Sequence, residues 1–144
     1  MNFQKHMVVA LAEASLSKDP TTKAGAVILG PEGEKLSTGW NGAPRGCKAD
    51  EDDRNQRPMK YRWFAHAEAN AVFNAARVGI PLKGSTMVCT HYPCMNCAIA
   101  IVQAGIVRVV VQSPDVGFLE RWKDDIALST QLFEECGVEV ELVI

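Results

Sequence analysis

The sequence predicts an α/β fold, a three-layer α/β/α sandwich around a five-stranded mixed sheet whose last two strands are parallel and joined by a helix. Strand and helix patterns alternate in the second half of the 144 residues, which is typical of parallel strands with right-handed helical crossovers. Two early apolar stretches flank a turn and predict an antiparallel hairpin. No Pro-, Gly- or Ser-rich linker interrupts the chain, so we expect residues 1–144 to form one domain.

The first half of the chain predicts one helix and the hairpin. Apolar residues lie near helical spacing within residues 4–17, and the helix is expected to end before Ser17. The hairpin strands are predicted at 24–29 and 34–40, on either side of the turn residues 30–33.

A charged segment follows the hairpin. Residues 47–60 carry eight charges (Lys, Arg, Asp and Glu) in fourteen positions and show no apolar period, which predicts a loop. The loop is either a solvated surface or a mobile rim over a site. We favour the surface, because long loops in compact domains are only sometimes functional.

The second half alternates helices and strands. An Ala-rich helix is stopped by Gly79-Ile80-Pro81, and another begins at Pro93, because Pro is favoured in a first turn. In chain order, the predictions are a helix at 65–78, a strand at 86–90, a helix at 93–104, a strand at 107–112, a helix at 118–136 and a strand at 138–143.

Composition limits the classes of function. The chain is 47% hydrophobic and 22% charged, close to the average globular protein, which excludes a disordered tail, a coiled coil and a collagen-like chain. Fifteen Lys and Arg against seventeen Asp and Glu give a net charge of −2. Because general nucleic-acid binding requires a basic field, a small-molecule substrate is the expected partner.

Cysteine usage and the N-terminal pattern indicate a compartment. Five cysteines are an odd number, unlike the even count of a disulfide scaffold, so we expect free thiols and a reducing environment. The apolar run at 7–12 is too short for a signal-peptide core or a membrane span. We therefore expect a cytoplasmic protein without a membrane partner.

Two short segments, each at the start of a predicted helix, carry the chemistry. Cys94 and Cys97 in Pro93-Cys94-Met95-Asn96-Cys97 are three apart, so their sulfurs fall on one helix face and can bind one ion. His66, in His66-Ala67-Glu68, is the candidate third ligand. Two thiolates and an imidazole suit a tetrahedral Zn²⁺ whose fourth position is left to water, as in a catalytic site, and we expect one zinc per chain.

Glu68 is the candidate catalytic acid and base. His66 and Glu68 are two residues apart and do not share a helix face, so both approach one ion only above the N-terminal end of their helix. Helix N-termini aimed at the metal favour thiolates. Glu68 is then placed to move protons between bound water and substrate without ligating the metal.

Other roles for these cysteines stay open. C-x-x-C alone is compatible with a redox pair, although that leaves His66 and Glu68 unexplained. A closed structural zinc site, or a non-enzymatic zinc-binding module, needs a fourth ligand, for which the candidates are Cys89, His91 and Cys47. Cys89 and Cys136 lie in apolar segments and are expected in the core, whereas His91 is either a lining or an exposed residue.

The pair H-x-E and P-C-x-x-C is the signature of zinc deaminases acting on cytosine or adenine. With its surroundings, the sequence resembles the deoxycytidylate (dCMP) deaminases over nearly the whole chain. The resemblance continues through residues 17–27, 39–47, 66–71 and 120–122. The Asn-Gly-x-Pro-Arg-Gly-Cys loop within 39–47 narrows the superfamily to this family.

The resemblance implies hydrolysis of dCMP to dUMP and ammonia, which supplies the precursor of thymidylate. By matching position, it also implies the same three zinc ligands and Glu68 as proton shuttle. The Ala67 backbone N–H would bind cytosine O2, and Asn41 would hydrogen-bond the sugar. Lys23, Arg45 and Arg121 are candidates for the 5′-phosphate, although each is explained equally well as an ordinary surface charge.

The family also suggests regulation and assembly. Many of its members respond to dCTP and dTTP, which are therefore possible effectors. The family forms oligomers, so we expect a hexamer or dimer. Residues 113–116 differ from the Asp-Lys-Tyr-like segment of the regulated members, which argues against control by these effectors. Cys47 matches a ligand of a second zinc found in some members, but no cluster of Cys and His surrounds it in the sequence, so we expect a single zinc.

Related deaminases are the alternatives, with cytidine, 5-modified dCMP or tRNA adenosine as substrates. Small cytidine deaminases tend to join their last two strands by a hairpin, whereas a helix is predicted here. A tRNA adenosine deaminase needs a positive surface, which net −2 argues against. Riboflavin-pathway deaminases usually carry a reductase domain, for which 144 residues leave no room.

Overall fold

A computed structural model describes the backbone of residues 1–144 and every side chain except that of residue 50. Two single turns of 3-10 helix, Ala49–Glu51 and Asp53–Asn55, lie between the second strand and the second helix. The helices and strands, in chain order, are α1 (Phe3–Ala14), β1 (Gly25–Leu29), β2 (Lys35–Trp40), α2 (Lys60–Trp63), α3 (Ala67–Val78), β3 (Thr86–Cys89), α4 (Met95–Gln103), β4 (Arg108–Gln112), α5 (Val116–Cys136) and β5 (Glu139–Val143).

The five strands form one mixed sheet in the order β2-β1-β3-β4-β5. β1 is antiparallel to both β2 and β3, whereas β3, β4 and β5 are parallel. α4 connects β3 to β4, and α5 connects β4 to β5, so each parallel pair is joined through a helix. The predicted fold class is confirmed, including the parallel last two strands.

Helices cover both faces of the sheet. α1 packs on one face, where Met7 and Ala10 meet Val27, Val88 and Val110 from three neighbouring strands. The other face carries the larger core, which receives small and apolar side chains from α3, α4 and α5. Because both faces of the sheet are covered, β1 is buried and apolar along its whole length, and β4 is buried at its three central valines.

Small residues bring α3 close to the sheet, which fixes the position of its first turn. Ala67, Ala71 and Ala75 form a fully buried stripe on α3. On β2, a Cβ added at Gly39 would lie 2.4 Å from the Ala71 nitrogen and 2.7 Å from the Ala67 oxygen. Glycine at this position therefore permits the contact between β2 and the start of α3.

The structure differs from the sequence predictions at three points. α1 ends at Ala14, about a turn before Ser17. The segment predicted as a loop contains the two 3-10 turns and leads into α2, which the charge pattern does not predict. Cys136, expected in the core with Cys89, is exposed at the end of α5, because it lies on the outward side of that helix's last turn.

None of the helices in the described part of the chain has the length and apolar character of a membrane span.

Candidate active site

A cavity of about 800 Å³ lies at one end of the sheet. The residues after β3 (Thr90 and His91) and after β4 (Ser113) line it, together with the chain entering β1 and the chain leaving β2. Ligands of open α/β sheets bind outside the carboxyl ends of parallel strands, and this volume matches the usual range for small-molecule sites.

The three predicted metal ligands meet at this cavity. His66 is the N-cap residue of α3, and Cys94 is the N-cap residue of α4. Nδ1 of His66 lies 3.3 Å from the Cys94 sulfur and 3.4 Å from the Cys97 sulfur. All three ligand atoms fall within 4.8 Å of one another. Both side chains therefore face the cavity from the start of a helix.

These donors fit a tetrahedral zinc ion. Zinc bond lengths at a tetrahedral angle place sulfur and nitrogen ligands about 3.6 Å apart, close to the separations found here. Among the side chains that the structure describes, no fourth His, Cys, Asp or Glu joins the group. The fourth-ligand candidates Cys89, His91 and Cys47 are therefore outside it, as is Glu68. The donor set is that of an open site.

The two thiols do not lose their protons equally. Hydrogen bonds from Cys97 and from His66 lower the pKa of Cys94 to about 4, against the opposing effect of burial. The neighbouring Cys94 and burial raise the pKa of Cys97. The hydrogen bond to Cys94 also raises the pKa of His66. Cys94 therefore loses its proton more readily than Cys97 in the metal-free protein. A bound divalent cation would favour loss of the Cys97 proton as well.

Glu68 lies in the first turn of α3 and lines the cavity, although it is only 4% exposed. Burial raises the pKa of its carboxyl group. A carboxyl group whose pKa is moved towards neutrality can both accept and donate a proton, which is the property of a general acid and base. Glu68 does not join the three-ligand group, although its carboxyl group interacts with the Cys97 thiol beside it.

α5 holds the segment that carries Cys94. The Asp125 carboxylate accepts a hydrogen bond from the Met95 backbone N–H at 2.8 Å, on one side of Cys94. The Ser129 hydroxyl donates to the Pro93 carbonyl at 2.9 Å, on the other side. Thr130 and Tyr92 add a hydroxyl pair at 2.7 Å. The sequence pattern predicts α5 but gives no signal for these contacts.

Asn41 and Ala67 also line the cavity. Ala67 is the first residue of α3, so its N–H has no acceptor within the helix, and it finds none among the described residues. The Asn41 carboxamide is buried and accepts from the Ala24 N–H at 2.8 Å. Both groups lie where a ligand in the cavity can contact them.

The structure separates the three predicted phosphate candidates. Lys23 and Arg121 line the cavity, and the Lys23 ammonium also donates to the Ser17 carbonyl. Arg45 is not among the lining residues, and its guanidinium donates to Asn74 on α3. Arg57, which we did not predict, lines the cavity, because the charged loop forms part of its wall. The favoured surface assignment of that loop is wrong at Arg57 and Lys60.

His91 is a lining residue. Its Nδ1 lies 2.8 Å from the Thr90 hydroxyl oxygen, which also accepts a hydrogen bond from the Gly25 N–H at 3.1 Å. The ring centroids of His91 and Phe118 are 5.6 Å apart. Burial lowers the pKa of His91, so the ring is neutral at pH 7. The open question about its exposure is settled in favour of the cavity wall.

Comparison with known proteins identifies the family. The family model for the cytidine and deoxycytidylate deaminase zinc-binding region matches residues 1–113, which include all three candidate ligands and Glu68. The chain belongs to this deaminase family. Its cofactor is zinc, and the His66, Cys94 and Cys97 cluster is the described group that fits one ion per chain.

Individual deaminases extend the similarity beyond the matched region. Human deoxycytidylate deaminase is 38% identical over 137 residues, covering 92% of this chain and 74% of that protein. An uncharacterized deaminase of Aliivibrio fischeri is 42% identical over 126 residues, covering 88% and 82% of the two chains. The cyanophage S-TIM5 dCMP deaminase in complex with dCMP and dUMP superposes with a TM-score of 0.77 at 28% identity, covering 98% and 96%.

Proposed function

We propose that the protein catalyses the zinc-dependent hydrolytic deamination of dCMP to dUMP and ammonia. The observation that carries the proposal is an open His66, Cys94 and Cys97 cluster at the wall of a cavity, which is also lined by a buried carboxylic acid that does not join the cluster. The relatives named for dCMP and the nucleotide-bound cyanophage structure support the choice of substrate.

Bound zinc would supply Lewis-acid chemistry, lowering the pKa of a water molecule so that it attacks at neutral pH. In our proposal His66, Cys94 and Cys97 hold the ion. Glu68 accepts one proton from the attacking water and delivers it to ring N3. It then takes the proton of the new C4 hydroxyl group and delivers it to the amino group, which leaves as ammonia as the C4 carbonyl forms. The Ala67 N–H, at the positive end of α3, donates to cytosine O2 and so fixes the ring over Glu68.

Asn41 and two arginines are proposed to bind the rest of the nucleotide. Asn41 hydrogen-bonds a sugar hydroxyl. Arg121 and Arg57 are the cations that we favour for the 5′-phosphate, because both are exposed and line the cavity. Lys23 contributes through donors that remain after its bond to Ser17. Arg45 contacts the phosphate only if its hydrogen bond to Asn74 opens.

The same proposal includes the protein's context. Production of dUMP would supply thymidylate synthesis, and dCTP and dTTP are possible effectors. The five cysteines are unpaired in the structure, which supports a reducing, cytoplasmic location. Exposed apolar residues on three helices, including Val8, Phe73 and Leu128, support a homo-oligomer, either a hexamer or a dimer.

An ammonia-release screen on zinc-loaded protein tests the proposal. The substrates are dCMP, 5-modified dCMP, CMP, dCTP, cytidine, guanine and a tRNA anticodon stem-loop. We expect release from dCMP, with dUMP as the second product, and little from cytidine or the stem-loop. Equal turnover of cytidine and dCMP would show that the site does not recognise the 5′-phosphate. Ammonia release from guanine or the stem-loop alone would refute dCMP as the substrate.

A further inference from the structure

A buried ion pair lies beside Asn41 in the wall of the cavity. The Lys60 ammonium lies 2.9 Å from both carboxylate oxygens of Asp19, and both side chains are about 5% exposed or less. Lys60 comes from the charged loop and α2, and Asp19 from the segment between α1 and β1. A surface ion pair contributes little to the stability of the fold. A buried pair needs further hydrogen bonds, because they offset the loss of water around its charges.

Those further bonds connect the pair to the chain entering β1. Asp19 Oδ1 accepts from the backbone N–H groups of Thr21 at 2.9 Å and of Thr22 at 3.2 Å. The Lys60 ammonium also donates to the Thr21 hydroxyl. Burial raises the pKa of the Asp19 carboxyl, but the hydrogen bonds from Thr21 and Lys60 outweigh it, and the net pKa is lowered. Asp19 is therefore a fixed, ionised acceptor at neutral pH.

The Asp19 carboxylate is one of three groups that orient Asn41. Asn41 Nδ2 donates one hydrogen to Asp19 Oδ2 at 3.3 Å and the other to the Thr22 carbonyl at 2.9 Å. Asn41 Oδ1 accepts from the Ala24 N–H. A carboxamide has two donor hydrogens and two acceptor lone pairs. Counting the described residues, Asn41 has one unused hydrogen-bonding position, a lone pair of Oδ1.

We propose that the Asp19–Lys60 pair is a positioning device that makes Asn41 an acceptor towards the cavity, so that the site selects a nucleotide whose sugar carries a hydroxyl donor. The inference rests on the proposed function, because it assigns a group on the same substrate to Asn41. It also gives a role to Asp19, which lies in the segment 17–27 that resembles the family. An ether oxygen or a bare methylene on the sugar cannot satisfy the free lone pair.

The experiment compares dCMP with 2′,3′-dideoxycytidine 5′-monophosphate, which lacks the only sugar hydroxyl of dCMP. The readout is the ratio of kcat/KM for the two substrates within each variant, which does not depend on the folded fraction. We expect wild type to prefer dCMP by about tenfold, the effect of one hydrogen bond to a buried group. N41A should bring the ratio close to one.

The test variant is the double substitution D19N/K60Q, which removes both charges together and avoids a lone buried ion. We expect its ratio to fall below about threefold, within the range left by a misaligned hydrogen bond. D19N alone is a second variant with the same expected direction. The matched control is D52N, which removes the exposed ion pair Asp52–Arg54 in the same loop and should keep the wild-type ratio.

The outcomes separate the inference from the proposed function. Absence of dCMP deamination by zinc-loaded wild type overturns the proposed function, and the inference with it. Deamination of dCMP with a wild-type ratio of one overturns the inference alone, as does an unchanged ratio in D19N/K60Q when N41A abolishes it. A reduced ratio in D19N/K60Q beside an unchanged one in D52N supports it, because a purely structural pair would lower both rates equally.

Discussion

At the scale of single residues, Glu68 and the three proposed ligands have separate tasks although they share one cavity. His66 and the cysteines converge within 4.8 Å, while Glu68 is excluded from that group and buried. The separation matters because a ligating carboxylate would be held ionised by the metal and could not exchange protons. Substitutions at position 68 should therefore affect turnover and not metal content.

The first prediction is that E68Q keeps one zinc per chain and loses turnover by at least about 100-fold, the usual contribution of a general acid and base. Glutamine preserves the volume of the buried side chain but cannot carry the proton. Zinc content is measured by atomic absorption and turnover by ammonia release. H66A is the matched comparison and should lose zinc. A zinc-free E68Q would contradict the assignment of Glu68 as a non-ligand.

The second prediction concerns Asp19 and acid stability. Its pKa is lowered in the folded protein, so its stabilising contribution is complete above the unfolded pKa, about 3.9, and disappears as the pH falls through the lower folded value. At pH 7, D19N should lower the free energy of unfolding by about 3–5 kcal/mol, because Lys60 is left buried and unpaired. The wild-type advantage should shrink below pH 4.

Urea unfolding of metal-free wild type and D19N at pH 7, 5, 4 and 3 measures this advantage. Metal-free protein is used so that acid release of zinc does not contribute to either curve. A difference between the two proteins that stays constant from pH 7 to pH 3 would show that the Asp19 charge contributes nothing to folding.

At the scale of elements, α5 holds the backbone of residues 93–95, the chain that leads into α4 and carries Cys94. Asp125 and Ser129 are four residues apart on α5, hence on one helix face, and they bond the backbone on the two sides of Cys94. Helix α5 therefore fixes the sulfur position although it supplies no ligand. Groups that orient metal ligands typically change metal affinity by about 10- to 100-fold when removed.

The third prediction follows from this contact. D125A should release zinc about tenfold faster than wild type, because the Met95 N–H loses its acceptor and Cys94 gains freedom. D125N should stay close to wild type, since its amide oxygen still accepts that hydrogen bond. The rate of zinc transfer to a colorimetric chelator is the readout, and D124A, at the exposed neighbouring position, is the control. Equal rates for D125A and D125N would rule out positioning by the hydrogen bond.

At the scale of the whole molecule, the cavity is assembled from segments distant in sequence. Its wall joins the charged loop, the chain around β1 and β2, the starts of α3 and α4, and the first half of α5. Arg57 and Arg121 approach it from two of these segments. The substrate phosphate is proposed to bind between them, so selectivity for a nucleotide over a nucleoside depends on the complete fold.

The fourth prediction is that R57A and R121A each raise KM for dCMP by about tenfold, the worth of one charge-assisted hydrogen bond. Turnover of deoxycytidine, which lacks the phosphate, should change little in either variant. R62A and K123A, exposed neighbours that do not line the cavity, are the controls. A similar loss on deoxycytidine would mean that the arginines act on the fold and not on the phosphate.

The fold and the metal cluster were predictable because both depend on local patterns. Alternating apolar strands and helices indicate a parallel sheet, and the ligand motifs lie at helix starts, where side chains face the same end. The loop pairing of Lys60 with Asp19 was not predictable, since a charge run gives no sign of a partner forty-one residues away. Arg57 was missed for the same reason, and Arg45 was retained because sequence alone does not show its bond to Asn74.

The decisive measurement is the product balance from dCMP with protein shown to carry one zinc per chain. We predict equimolar ammonia and dUMP, formed in proportion to enzyme and abolished in E68Q. Protein that holds its zinc, is folded and leaves dCMP unchanged would contradict the assignment of this cavity to dCMP deamination.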